Sequence, residues 1–234
     1  MVGKDRIVPA NSDPVDLSVF CVEPGRWTGT SAQFGGIAGK SGYVTQMAQP
    51  SVRAGAMADK NQQKVWSEVN ESTRVMASAA PQASVGGTTS YAKVMGNDEV
   101  QKKVDAVAAP MEQSYESVIK QLRDQNAVGV VVAIDGNIVW ADIFASTPLL
   151  EKYWPKLVRS YATEAITRRG AKGGADVKSA QAFLDDFSGN RQVVETEPGL
   201  FRHTEIAGSG FRAFELASLL PRTGFDVHIS KMSE

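Results

Sequence analysis

The chain has 234 residues, 42% hydrophobic and 22% charged, with 25 basic against 26 acidic side chains and a formal net charge of −1. That length can bury a sizeable core, and the charge balance supplies no broad positive field, so nucleic acid is not an expected partner. A single cysteine and two histidines exclude a disulfide framework, a cysteine-rich zinc site and a CxxC redox pair, and no metal or cofactor is expected.

Residues 1–6 carry no apolar signal segment, so the start fits either a cytoplasmic protein or a trimmed exported one. In residues 15–23, Val15, Leu17, Val19 and Cys21 alternate with Asp16, Ser18, Phe20 and Val22, the period of a strand with one face in the core. On that reading Cys21 is a small buried side chain, with no adjacent histidine to activate it. Residues 28–58 read as a long loop, rich in Gly, Ser, Thr and Gln. Asp59 is expected to cap a helix reaching Met76, and residues 78–96 to form a second long loop.

Val100, Val104, Val107, Met111, Val118 and Leu122 share one face of a long helix starting near Asn97, which Pro110 should kink or divide. Residues 128–134 are nearly all apolar, as in a strand buried on both faces, and Asp135-Gly136-Asn137 leads into a second strand at 138–144. This pair is expected to be a central hairpin. Ser146 then caps a helix that ends at Gly170 and contains Pro155. A short helix at 177–187 precedes four strands near 192–197, 200–207, 211–217 and 225–230. The expected fold is one α+β domain over 1–234, a mainly antiparallel sheet with helices packed on one side. No run is long enough to span a membrane, which needs roughly 18 apolar residues.

Two motif-like stretches lack the context their chemistry needs. Gly35 to Ser41 resembles a phosphate loop, but Phe34 stands where the first glycine belongs and no helix start follows. Gly208-Ser209-Gly210-Phe211-Arg212-Ala213 has dinucleotide-fingerprint spacing, but a strand follows it, so a hairpin turn is the better reading.

Cys21-Val22-Glu23-Pro24-Gly25-Arg26-Trp27 is more informative. Arg26 could grip a carboxylate or phosphate, Trp27 could stack on a ring, and Glu23 could bind a hydroxyl or act as a base. The structural alternative pairs Glu23 with Arg26 and lays Trp27 over a sheet edge. Asp142 falls in phase with Trp140 and Phe144, so if buried it must be paired or have a raised pKa. Arg26 is one candidate partner for it. His203 shares a strand face with Phe201 and Glu205, as an acid/base pair or as a satisfied histidine.

The segments Phe20 to Trp27, Gln63-Lys64-Val65-Trp66, Gly129 to Gly136 and Ala141-Asp142-Ile143-Phe144 resemble the ARG and rhodanese-phosphatase-superfamily-associated protein domain, a largely bacterial family. The likeness runs from about Asp5 to Ser230. It implies more sequence ahead of the first strand than this chain shows. The family supplies no established activity, and its name reflects a genomic association with ADP-ribosylglycohydrolases and phosphatase-like proteins.

Three functional readings follow. The first is a binding or accessory module for an anionic small molecule or a protein, linked to ADP-ribose or nucleotide metabolism, with Glu23, Arg26 and Trp27 as ligand-binding residues. The second is a hydrolase of a phosphorylated or ADP-ribose-like molecule, with Glu23 or Asp142 as base. The third is a structural homo-oligomer component. Whether the chain is an enzyme stays open at this stage.

Overall fold

A computed structural model describes residues 3–15, 17, 19–24, 47–81, 85, 88–168, 170, 172–221 and 226–234, the side chains of 113–122 excepted. In chain order the elements are α1 (Pro50–Met57), α2 (Gln62–Ala79), α3 (Tyr91–Met95), α4 (Asp98–Asp124), β1 (Gly129–Ile134), β2 (Asn137–Phe144), α5 (Thr147–Thr167), α6 (Val177–Asp185), β3 (Gly189–Glu197), β4 (Phe201–Gly208), β5 (Phe211–Ser218) and β6 (Asp226–Ser233). The fold is α+β. Contacts divide the chain into two compact units, one of residues 19–116 and 155–169, the other of residues 2–18, 117–154 and 170–234.

The second unit is built on a six-stranded sheet of order β1-β2-β6-β5-β4-β3, with every neighbouring pair antiparallel. Local turn chemistry makes most of it. Asp135 and Gly136 both have positive φ, 52° and 74°, which gives the two-residue turn between β1 and β2 the twist of its strands. Gly208-Ser209-Gly210 turns β4 into β5, with Gly210 at φ 76°. Strands β3 to β6 form a meander, and the β1–β2 hairpin joins it through β2 against β6. On one face Ile206, Phe211 and Ala213 are buried together, with Phe183 and Phe187 from the α6 region packed on them.

The other unit is helical. Asn61 caps α2, its side chain accepting from Gln63 N at 2.8 Å and Lys64 N at 3.2 Å. Lys60, at φ 49°, turns the chain just ahead of it, which moves the cap from the expected Asp59 to Asn61; Asp59 pairs with Lys64 instead. Val65, Val69, Val75 and Met76 on α2, Val100, Val104 and Ala108 on α4, and Leu157, Val158, Tyr161 and Ala162 on α5 are buried, the spacing of amphipathic helices.

Several expectations need correction. Among the described residues of 15–23 only Val19 makes a bridge, and Val15, Leu17 and Val19 are exposed, so these residues do not form the expected core strand. Alternation says which face a strand would bury, but with no ladder to join the apolar face meets no core. Cys21 is accordingly half-buried, held instead by Gln62, which donates to its carbonyl at 2.7 Å and accepts from its amide at 2.8 Å. The β1–β2 hairpin lies at the sheet edge, β1 outermost, and β1 is only partly buried. Parts of both expected long loops are the helices α1 and α3. Neither Pro110 nor Pro155 divides its helix. The phosphate-loop-like residues 35–41 lie outside the described residues.

Candidate functional site

A polar cluster of the sheet unit arises from strand register. β2 and β6 place Asp142 opposite Ser230 and Phe144 opposite His228, and directly opposed residues share a face. Asp142, fully buried, accepts from Ser230 Oγ at 2.7 Å and meets His228 Nε2 at 3.0 Å. Ser230 Oγ also lies 3.5 Å from His228 Nε2. The opposite ring nitrogen, Nδ1, contacts the carboxylate of Asp5. Phe144 stacks on the imidazole with centroids 4.4 Å apart, and Tyr153 stacks on the far side of Phe144 at 5.3 Å.

Burial depresses the pKa of His228, but the hydrogen bonds and charges of Asp142 and Asp5 outweigh it and raise the value to about 9. The ring is therefore an imidazolium at neutral pH, donating from both nitrogens. Ser230 is buried and gives its proton to Asp142, so neither the hydroxyl nor that carboxylate faces solvent. Asp5 is different, with a side chain 51% exposed against 13% for His228.

The cluster continues across the sheet. Ladder pairing sets Glu195, His203, Leu216, His228 and Phe144 in one row over β3, β4, β5, β6 and β2. The N-terminal residues Lys4 to Arg6 lie over that row. Lys4 and Arg6 both pair with Glu195, and the Arg6 guanidinium sits 5.7 Å from the Phe201 ring centroid. His203 Nε2 contacts the backbone carbonyl of Asp5, so both histidines of the chain meet one residue. Burial lowers the pKa of His203 despite that carbonyl, leaving it a neutral donor beside a cationic one.

On the opposite face Lys231 is fully buried, with Nζ 4.5, 4.6 and 3.9 Å from the ring centroids of Phe183, Phe187 and Phe211. Its ammonium donates to the carbonyls of Phe183 and Asp186 at the end of α6, where a cation complements the helix dipole. Burial lowers its pKa, with Asp186 opposing. This is a structural arrangement, closed to solvent.

The helical unit has its own buried polar group. Glu164 on α5 accepts from Ser51 N at 3.1 Å, Ser51 Oγ at 2.9 Å and Gln49 Nε2 at 3.2 Å. Gln49 in turn accepts from Ser72 Oγ at 2.6 Å and donates to Thr167 Oγ1 at 2.9 Å. Gln49 itself makes no side-chain cap to α1, so Glu164 supplies the anion at that helix start from another element.

Glu23 belongs to the helical unit and its Oε1 accepts from Ala92 N at 2.8 Å, an anion at the first turn of α3. Asp142 belongs to the sheet unit. Arg26 and Trp27, and with them any pairing to Glu23 or Asp142, lie outside the described residues. Among the described residues no group of three or more His, Cys, Asp or Glu could hold a metal ion, and no helix is long and apolar enough to cross a membrane. Sequence reasoning missed His228 and Ser230 as partners of Asp142, and Asp5 as the second carboxylate on His228. The available signal was the i,i+2 pair His228 and Ser230 on a strand, in the same style of alternation that marked Asp142.

The family model for the ARG and rhodanese-phosphatase-superfamily-associated protein domain matches residues 1–232. The chain belongs to that family. No curated protein and no solved structure matches it. The match runs through both units, up to residue 232.

Proposed function

We propose that this family member is a binding or accessory module that captures an anionic group, with His228 on the sheet face as the capture point. The observation that carries the reading is an imidazolium held by a buried carboxylate, Asp142, on one side and meeting a half-exposed carboxylate, Asp5, on the other. Asp142 fixes the ring and its charge, while the Asp5 oxygen stands where a ligand oxygen would bind. By residue type, Glu23, Arg26 and Trp27 are second candidates for the same kind of ligand.

A hydrolase reading draws on the 3.5 Å approach of Ser230 to His228. It asks a buried hydroxyl, already donating to Asp142, to act as a nucleophile without a free base. Binding is the better account. Phosphorylated small molecules are the first ligands to test, including ADP-ribose and nucleotides, given the associations in the family's description.

The test is calorimetric titration of the full chain with inorganic phosphate, succinate and ADP-ribose. His228→Gln should weaken anion binding at least tenfold while Arg26→Ala reports separately on the second candidates. Wild type and His228→Gln binding every anion equally would remove His228 from the reading.

A further inference from the structure

Residues 4–6 satisfy the row beneath them group by group. Glu195, an anion on β3, meets the two cations Lys4 and Arg6. His203, a neutral donor on β4, meets a backbone carbonyl, that of Asp5. His228, on β6, meets the carboxylate of the same residue. Phe201 lies under the Arg6 guanidinium at 5.7 Å. A main-chain oxygen, an acidic side chain and flanking basic side chains are thus each read by a different residue of the sheet.

His203 and His228 are separated by one strand, with Leu216 between them in the register, which is roughly 9–10 Å at two strand spacings. One aspartate bridges that span because its carbonyl and its carboxylate point to different histidines. A single phosphate or carboxylate group does not span both histidines, so it can replace the carboxylate contact and not the others.

The contacts made by the segment are also reversible. Asp5 is about half exposed, and the side chains of Lys4 and Arg6 retain 34% and 21% exposure, so water and salt reach every ion pair. Asp142, itself held by Ser230, fixes His228 from below and independently of the segment.

We propose that Lys4-Asp5-Arg6 is a built-in occupant of a peptide-binding site, and that the site's partner is a peptide segment carrying an acidic residue between basic ones. This rests on the reading of His228 as an anion-capture point and deepens it by naming the anion as a peptide side chain. In the absence of partner the chain's own segment closes the site, and a partner must displace it.

The probe is a synthetic peptide of residues 3–9, titrated against full-length wild type and the full-length triple variant Lys4→Ala, Asp5→Ala, Arg6→Ala. The triple variant should bind the peptide at least tenfold more tightly than wild type, because its site is vacated. Asparagine in place of the peptide's aspartate, or His228→Gln added to the triple variant, should each reverse that gain.

Equal affinity for wild type and triple variant, or no binding to a triple variant that keeps its circular dichroism, overturns the proposal. Should the triple variant fail to fold, Asp5→Asn in the full chain is read by NMR of the His228 ring. A ring titration that shifts down relative to wild type supports the contact, and an unchanged one overturns it. Phosphate or succinate binding at His228 without peptide binding sinks the peptide assignment and leaves anion capture standing. Peptide binding without small-anion binding does the opposite to the small-ligand reading.

Discussion

His228 lies 3.0 Å from Asp142 across the β2–β6 ladder, and the aspartate that holds it has no exposed surface. Through that register the buried carboxylate, together with Asp5, holds the imidazole protonated. Its worth depends on pH in a definite direction. His228 has a folded pKa of about 9 against 6.5 for the free side chain, so its stabilisation is complete below about pH 6.5 and is lost as pH rises through 9.

Asp142→Asn should therefore flatten the fall in stability between pH 6.5 and 9 and cost about 2–4 kcal/mol at pH 7. The other groups around the ring are Asp5 from the N-terminal segment, Ser230 on β6, and Phe144 and Tyr153 stacked beyond it. His203 works the other way. Its pKa is lowered, so stability falls as pH drops below 6.5 and the ring must take a proton. Urea denaturation across pH 5 to 9.5 checks both limbs; a wild-type curve that stays level from 6.5 to 9 would show that His228 carries no such linkage.

Lys231 is a buried cation inside three phenylalanine rings, with its ammonium on two carbonyls at the end of α6. Replacing a buried charge with an apolar chain of similar length often costs little. Here the carbonyls of Phe183 and Asp186 would also lose their donor, and the cation–ring attraction would go. Lys231→Met should cost about 1–3 kcal/mol and release α6 first, seen as faster hydrogen exchange in residues 177–187. A variant as stable as wild type with unchanged exchange would mean that the cage does not hold the helix.

Glu164 makes an analogous case in the helical unit. Its carboxylate takes both Ser51 groups and Gln49 in a buried place, so removing it strands several donors at once. Glu164→Ala should cost about 3–5 kcal/mol, whereas Glu164→Gln keeps one acceptor oxygen and should lose roughly half as much. Thermal denaturation of the two variants gives the ordering. Equal losses would mean that the charge matters and the hydrogen-bond geometry does not.

What the sequence reveals of this molecule is what depends on neighbours along the chain. The Asp135-Gly136 turn, the α5 helix and the four C-terminal strands are visible because turn chemistry, capping and periodicity are local. The alternation at Val15, Leu17 and Val19 looks the same but misleads, because a strand needs a ladder and, among the described residues of that stretch, only Val19 makes a bridge. Asp142 stands out as a carboxylate in phase with Trp140 and Phe144. Its partner does not, since His228 lies 86 residues further on and meets it only through the β2–β6 register. Asp5 is still less legible, because nothing in a run of polar residues near the start says that it crosses both histidines.

Gly136 offers the sharpest local test. Its φ of 74° suits glycine, and a Cβ there would stand 2.2 Å from the carbonyl oxygen of Gly173. That approach is held from both sides, by Gly173 N to Asp135 O at 2.7 Å and Ala175 N to Gly136 O at 2.8 Å. Alanine must therefore adopt a left-handed backbone, at about 1–2 kcal/mol, and also push away a segment bound by two hydrogen bonds of about 1 kcal/mol each. Gly199 has the same backbone sign, φ 77°, but open space around its Cβ position, so it isolates the first cost. Gly136→Ala should lose about 2–4 kcal/mol and Gly199→Ala about 1–2 kcal/mol. Denaturant titration of both decides it: equal losses would mean that backbone conformation alone fixes the β1–β2 turn and that the 173–175 segment does not brace it.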